Sequence, residues 1–572
     1  MSYVRKGCLV LTLGLFCSGP LFAASRPPVQ GTGGAVASDE RLATDVGLEI
    51  LRQGGNAADA AVATALALVV VEPEAGNLGG GGLAVIKFGD ELTYLDFRET
   101  APSAAHRGTY LDENGEPLAE ASLIGPLAAG VPGSPSGLFE LHRRFGKLEW
   151  RKVVEPARRL AADGFSVSRR LHHGLVGKKE VLTRFPETAA RWFPRGEAPA
   201  AGSILRIPEL AATLADYAER GPAAIIEGER AQAIEEISSR YGGILTAADL
   251  AAYEPVWRQP ARFEAFGWQV ASADLPSSGG ILVGSAAGIL DRLGWHDKPR
   301  FGADRAHLIA EAWRRAFADR FLLGDPATAK AGAGELLADS WLDQRTATVD
   351  RTKASASSSV EPWDGAAVSV SGMVEPQDTT HLSTVDRDGN LVALTTTLNG
   401  SFGCALYVPE AGFFLNNEMD DFATAPGRPN LYGLVQGEAN EVGPGKRMLS
   451  SMSPTVAWRE GEAIALGGRG GSRIPTSTLQ VLLNFWLDGD GLQAALDRPR
   501  VHHQWLPDQI FAEPDALAPE TQAELESRGH HISSVNSLAQ VHAVRWTTDG
   551  QVEAAVDPRG GGGASGVVRP LY

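Results

Sequence analysis

Thr379-Thr380-His381 opens a stretch that reads as a strand through Asp386. A threonine hydroxyl is a poor nucleophile until a base removes its proton, and a free α-amine on the same residue, with an ordinary pKa of about 8, is such a base. That chemistry requires the chain to be cut between Asp378 and Thr379. The preceding segment, from about residue 353, is rich in Ser, Ala and Gly and poor in large apolar side chains. This is the composition of a loosely held linker that can be reached, broken and drawn aside. Downstream, Asp386-Arg387-Asp388-Gly389-Asn390 is a hairpin signal, because Asp-Gly suits a two-residue turn with positive φ. Such a turn sets Thr397 opposite Thr380, one residue from Thr379. Period two then groups Thr395, Thr397 and Asn399 on one face and Val392, Leu394 and Leu398 on the other. β-Propensity alone explains threonines in strands. A polar face beside a candidate nucleophile, with the Thr397 hydroxyl able to hold it, adds a chemical reason.

Other stretches with chemical potential reduce to structure. The run Gly79-Gly80-Gly81-Gly82 lacks the Lys-Ser/Thr ending of a phosphate loop and precedes a strand, so it reads as close backbone packing in a hairpin that delivers Arg98 to its end. His502 and His503 are adjacent on a strand and point to opposite faces, and with no acidic or cysteine partner expected to accompany them they read as structural histidines and no metal is expected.

The elements that must position these residues follow from periodicity. Residues 37–53 have helical spacing with Ser38 as N-cap, and Asn56 caps a very apolar stretch, residues 57–71, too short to span a membrane and read as a buried helix. Residues 135–345 are mostly helical, with a capped turn at Thr246 and a strand over residues 263–270.

Composition bounds the partners. The 572 residues, 44% hydrophobic and 21% charged, suit a globular protein, and a formal charge of −17 argues against nucleic acid or an anionic membrane and for a small substrate. Residues 1–24 read as a secretory signal: Arg5 and Lys6, an apolar run from Cys8 to Phe16, and Ala23-Ala24 at the end. Ser18-Gly19-Pro20 interrupts the run too early for a membrane anchor. Export leaves Cys404 as the single cysteine of the mature chain, which therefore has no internal disulfide.

Taken together, Thr379-Thr380-His381, the hairpin ending Thr397-Leu398-Asn399-Gly400-Ser401, Asn416-Asn417-Glu418-Met419-Asp420-Asp421, Lys446-Arg447-Met448-Leu449-Ser450-Ser451, Gly470-Gly471-Ser472-Arg473, Val501-His502-His503 and Phe97-Arg98-Glu99-Thr100-Ala101-Pro102 resemble the γ-glutamyltranspeptidases, and the resemblance covers nearly the whole mature chain. It implies an α+β fold, a four-layer αββα sandwich of the N-terminal nucleophile hydrolase type, made as a precursor that cuts itself into a large subunit, residues 25–378, and a small catalytic subunit, residues 379–572, which stay together as a heterodimer. Carried over by motif, Thr379 is the nucleophile, Thr397 its support, and the amides of Gly470 and Gly471 the oxyanion hole. Arg98, Ser450 and Ser451 take the α-carboxylate of a γ-glutamyl group, and Asn399, Glu418 and Asp421 its ammonium. No cofactor is implied. The expected activity is γ-glutamyl transfer and hydrolysis in the periplasm or outside the cell, with glutathione as donor. A glutaryl acylase of the same fold, as in cephalosporin acylases, and a non-cleaving exported binding protein are the alternatives. Asp378 and Met448 depart from the family pattern, and residues 426–442, with Tyr432, resemble a loop covering the pocket.

Overall fold

The computed structural model describes residues 27–363, 379–424, 430, 434 and 436–569. The signal segment, Asp378, the later part of the linker and Tyr432 lie outside the described residues.

Alternation of side chains along each strand builds two apolar faces per sheet, and the fold uses both. In one seven-stranded antiparallel sheet the spatial order is Ala564–Val567, Gly34–Ser38, Thr379–Asp386, Leu391–Thr397, Gly81–Phe88, Glu91–Phe97 and Val256–Arg258. In the other it is Val29–Gly31, Val552–Val556, Gln540–Thr547, Glu462–Arg469, Thr455–Arg459, Trp268–Ser272 and Ala261–Ala265. Each sheet interleaves strands from before and after residue 379.

Leu83, Val85, Leu391 and Ala393 point inward and meet Ala271, Val456, Ala465 and Val544 of the facing sheet. Their neighbours Ala84, Ile86, Val392 and Leu394 point outward into the core beneath the helices. Helices Arg41–Arg52 and Ala57–Val71 cover the sheet that holds Thr379, while Gly279–Arg292 and Ile474–Leu487 cover the other, completing four layers αββα.

Ala57–Val71 is buried along its whole length, packed between its sheet and Trp150–Asp163, and its alanines let both neighbours approach closely. Asn56 caps it as expected, with Asp59 completing a capping box, an arrangement whose loss typically costs about 1 kcal/mol. The preceding helix departs from expectation. Gly34–Ser38 is a strand, the helix starts at Arg41, and its N-cap is Glu40, whose carboxylate accepts from the amides of Leu42 and Ala43. Ser38 instead bonds the Thr44 hydroxyl. The short run Gly-Ala-Val-Ala-Ser fits either period, and pairing with Thr379–Asp386 decides for the strand. Residues 263–270 likewise divide into the hairpin Ala261–Ala265 and Trp268–Ser272, because Phe266 and Gly267, with φ of 53° and 76°, supply its two-residue turn.

The hairpin after Thr379 has a loop one residue longer than expected. Asp386 N–H donates to Asn390 O and Gly389 N–H to Asp386 O, with Gly389 at φ 83°, so Arg387, Asp388 and Gly389 form a three-residue loop. The Asp386 carboxylate organises it, accepting from the Asp388 and Asn390 amides and from Asn390 Nδ2. The extra residue shifts the register by one, and Thr397 stands directly opposite Thr379.

Candidate active site

Thr379 and Thr397 face one another across the hairpin, hydroxyl to hydroxyl at 3.4 Å, both buried. This is longer than a good O–H···O bond, and catalytic contacts often tighten only around substrate. The Thr397 hydroxyl also accepts from the Asn399 amide at 2.8 Å. Asn399 has a φ of 70°, a left-handed conformation that asparagine tolerates, and this turns the chain back past Thr379. Its Nδ2 donates to Asn417 O, and Asn417 Oδ1 in return accepts from Gly400 N–H. The hairpin end is thereby tied to the 3₁₀ turn Glu418–Asp421. In such a turn residues i and i+3 eclipse, so Glu418 and Asp421 present their carboxylates on one side.

Across from them, the strand Glu91–Phe97 delivers Arg98. Its Nη1 lies 2.5 Å from Glu418, its Nη2 2.5 Å from Asp421, and its Nε donates to Met448 O at 3.3 Å. Met448 contributes this carbonyl and an apolar side chain packed with Ala101, Tyr110, Met419 and Phe422, which gives the departure from the family pattern a structural place. The Arg98 carbonyl is held by Tyr253 Oη and by Arg447, itself paired with Asp96. Burial alone would lower the Arg98 pKa, but Glu418, Asp421 and Glu99 hold it above its ordinary value. The carboxyls feel the reverse balance. Burial raises Glu418 and Asp421 while Arg98 pulls them down, and Glu99 is pushed up to about 7 by burial against the same guanidinium 3.5 Å away.

The opposite wall is backbone-rich. Ser450 and Ser451 lie in a segment locked to the loop Pro276-Ser277-Ser278: Ser450 N–H donates to Pro276 O, Ser278 N–H and Oγ donate to Ser450 O, and Ser277 Oγ donates to Met452 O. Gly470 and Gly471 follow the strand Glu462–Arg469 and lead into the helix Ile474–Leu487. With φ of 133° at Gly470, and Ala539 2.8 Å from where a Cβ would sit, that position excludes a side chain.

Arg98, Thr379, Thr397, Asn399, Glu418, Asp421, Ser450, Ser451 and Gly471 line one cavity. Gly470 adjoins it through the chain. Leu434, Met452 and Ile474 complete the lining and carried no sequence signal of their own.

Behind the strand Thr379–Asp386 sits a network that local sequence reading missed. Thr380 points away from Thr379, its Oγ 2.9 Å from both Asp39 and Glu72, and Asp39 also accepts from the His381 amide and pairs with His542 and Arg469. Burial raises the Asp39 carboxyl, but Arg469, His542 and Arg170 together hold it far below the usual range. Asking what a buried Thr380 hydroxyl could donate to would have found the need, though not the residues. His381 lies between the sheets, bonded to Thr395 and Ser383, and its ring packs where a Cβ on Gly467 would come within 2.5 Å.

His502 and His503 are buried structural residues. His502 bonds Thr476 and Gln504. His503 does have an acidic neighbour in the fold, Asp508 at 3.4 Å, shared with Arg314. Elsewhere His307, Glu311 and His530 cluster within ligand distance of one another, but Arg314, Arg315 and Ser355 occupy the Glu311 carboxylate.

Two facing antiparallel sheets between helical layers, with a candidate nucleophile at the start of a central strand, define the class of N-terminal nucleophile hydrolases. The sequence matches the γ-glutamyltranspeptidase family over residues 43–567. It is 40% identical over 539 residues to the glutathione hydrolase proenzyme of Escherichia coli (strain K12), covering 93% of this chain and 91% of the relative. It is 41% identical over 541 residues to that of Pseudomonas aeruginosa, covering 93% and 94%. A cephalosporin acylase from Bacillus halodurans superposes with a TM-score of 0.82 at 25% identity, covering 98% of this chain and all of that one. The chain belongs to the γ-glutamyltranspeptidase family.

Proposed function

We propose that the protein is an exported γ-glutamyltransferase and glutathione hydrolase that cuts itself before Thr379 and works through a γ-glutamyl ester of that residue. The observation that carries the reading is the position of Thr379 and Thr397 on the wall of a cavity whose other wall holds one guanidinium and two carboxylates. A γ-glutamyl group presents an α-carboxylate and an α-ammonium on one carbon, and few other acyl groups need both signs of charge so close together.

Cleavage of the 378–379 bond frees the Thr379 amine, which takes the hydroxyl proton as Oγ attacks the γ-carbonyl. The carbonyl oxygen becomes an oxyanion facing the amides of Gly470 and Gly471; one such donor typically contributes about 3 kcal/mol to the transition state. The tetrahedral centre collapses to the ester, and the proton passes to the departing nitrogen, which leaves as an amine. Water or an acceptor amine then attacks the ester, giving up its proton to the α-amine of Thr379, and Thr379 Oγ leaves with that proton. Arg98, Ser450 and Ser451 hold the carboxylate, while Asn399, Glu418 and Asp421 hold the ammonium. Residues 25–378 and 379–572 remain a heterodimer because both sheets interleave strands from the two pieces. Residues 1–24 direct export to the periplasm or beyond. No helix among the described residues is long and apolar enough to cross a membrane.

The similarity to a cephalosporin acylase makes glutaryl transfer the alternative to test. Glu418 and Asp421 weigh against it, since a glutaryl group brings a carboxylate and no ammonium to the acidic pair. The experiment compares release of nitroaniline from γ-glutamyl- and glutaryl-p-nitroanilide, and glutathione consumption, by the purified protein, with a denaturing gel of the same sample. Two bands and a preference for the γ-glutamyl anilide are expected. A single uncut band in active protein, or faster glutaryl turnover, refutes the reading.

A further inference from the structure

Arg320 follows the helix Ala303–Asp319 and begins the turn Arg320–Leu322 behind the Ser450-Ser451 wall. It is 3% exposed. Its Nε donates to Ser278 Oγ at 3.1 Å and its Nη2 to Ser451 Oγ at 3.4 Å, while Nη1 is buried with no hydrogen-bond partner among the described residues. A buried guanidinium held only by hydroxyls requires a reason, because each unmet donor carries a desolvation cost.

The hydroxyl protons provide one. A serine oxygen that accepts from an arginine must direct its single proton elsewhere. Ser278, accepting from Arg320 Nε, gives its proton to Ser450 O at 2.8 Å. Ser451 Oγ accepts from Nη2, and Ser451 lines the cavity, so its proton is available to an acceptor there. Ser450 Oγ accepts from the Met452 amide and lines the same cavity, which leaves its proton in the same position. Arg320 therefore turns part of this wall into a donor surface suited to a carboxylate.

Charge gives a second, independent reason. Arg98 is already paired with Glu418 and Asp421, so the pocket without Arg320 holds one cation against two carboxylates, with Glu99 beside them. A ligand carboxylate entering that balance is opposed. Burial lowers the Arg320 pKa to about 10, partly offset by Asp421, so the group stays cationic at neutral pH.

We infer that Arg320 is a positioning residue that makes the pocket selective for donors bearing an α-carboxylate, by orienting the Ser451 hydroxyl and adding the second positive charge. The inference rests on the functional reading above. It is tested with γ-glutamyl-p-nitroanilide and 4-aminobutyryl-p-nitroanilide, which differ only in the α-carboxylate, using the processed wild-type enzyme and the Arg320→Met, Arg320→Lys and Ser451→Ala variants. Arg320→Met is expected to raise KM for the γ-glutamyl anilide about tenfold or more, with a smaller change in kcat, and to leave kcat/KM for the aminobutyryl anilide near the wild-type value. Arg320→Lys should recover part of the loss, and Ser451→Ala should lose selectivity in the same direction. A general structural role would reduce both substrates equally, and equal losses overturn the inference. Should Arg320→Met not fold, the substrate ratios of Arg320→Lys and Ser451→Ala decide: wild-type ratios in both overturn it. Wild-type protein that turns over neither anilide overturns the functional reading, and this inference with it.

Discussion

Replacing Asp421 with asparagine removes one charge from the pocket and preserves the side chain's shape. Asp421 is buried, pairs with Arg98 Nη2 at 2.5 Å and accepts from Asn430 Nδ2 at 3.1 Å, while its backbone carbonyl accepts from Gln436 and Asn440. The backbone anchors survive the substitution, so the turn Glu418–Asp421 should keep its place. Under the proposed function, the variant loses a charged acceptor for the substrate ammonium. A hydrogen bond to a charged group contributes about 1.5–3 kcal/mol, which corresponds to roughly a 10- to 150-fold loss in kcat/KM for γ-glutamyl-p-nitroanilide. Arg98 meanwhile is left with Glu418 as its close partner and Glu99 at 3.5 Å, and becomes freer to receive a carboxylate. For glutaryl-p-nitroanilide, which brings a carboxylate alone, kcat/KM should hold or rise. Initial rates on both anilides with one enzyme preparation give the ratio directly, and concentration errors cancel. Equal losses on the two substrates would mean that Asp421 acts through the fold and that the ammonium contact is wrongly assigned.

Thr379→Ala should accumulate as one uncut chain on a denaturing gel and release no nitroaniline; normal cutting would remove Thr379 from the mechanism. Thr397→Val keeps the shape but removes the hydroxyl that meets Thr379 and accepts from Asn399, so kcat should fall about 10- to 100-fold while Thr397→Ser stays near wild type; an unaffected valine variant would contradict the support role. Glu99 titrates near 7 in the folded protein against 4.5 ordinarily. Between those values the folded state holds more protons than the unfolded one, so this group makes stability fall as pH rises through the window. Glu99→Gln lacks that slope, and its melting temperature should gain on wild type from pH 4.5 to 7; a gap independent of pH would refute the assignment.

What could be read along the chain depended on how local its cause is. The cap at Asn56, the buried alanine helix and the hairpin delivering Arg98 follow from residues within a few positions, and the structure has them. The register of the Thr379 hairpin missed by one residue because Asp-Gly serves a two- or a three-residue loop, and only the Asp386 carboxylate bonding Asn390 separates them. The helix expected over residues 37–53 is present but starts at Arg41, for a related reason: the five small residues before it have no period strong enough to resist a neighbouring strand. The nine cavity-lining residues carried over by motif come from six separate segments, and no periodicity brings Arg98 and Asp421 together across 323 positions. Family resemblance supplied that convergence. It did not supply Asp39, Glu72 or Arg320, whose signal is a partner's unmet hydrogen bond and therefore exists only in three dimensions.

The pairing of Arg98 with Glu418 and Asp421 changes how recognition must work. The roles carried over by motif place a cation for the carboxylate and anions for the ammonium, as though each waited alone. In the structure they are partners, so under the proposed function a zwitterion would enter by exchange: its carboxylate would take the guanidinium as its ammonium takes the carboxylates, leaving no buried charge unmatched. A ligand with one charge cannot complete the exchange, and it either strands an acid pair or competes with it for Arg98. Breaking one partner of a buried ion pair commonly costs about 3–5 kcal/mol, and this disfavours single-charge ligands. Under the proposed function, selectivity for the amino-acid head would thus arise from the coupling between the two contacts. The loss from deleting the ligand's carboxylate and ammonium together should be smaller than the sum of the single deletions.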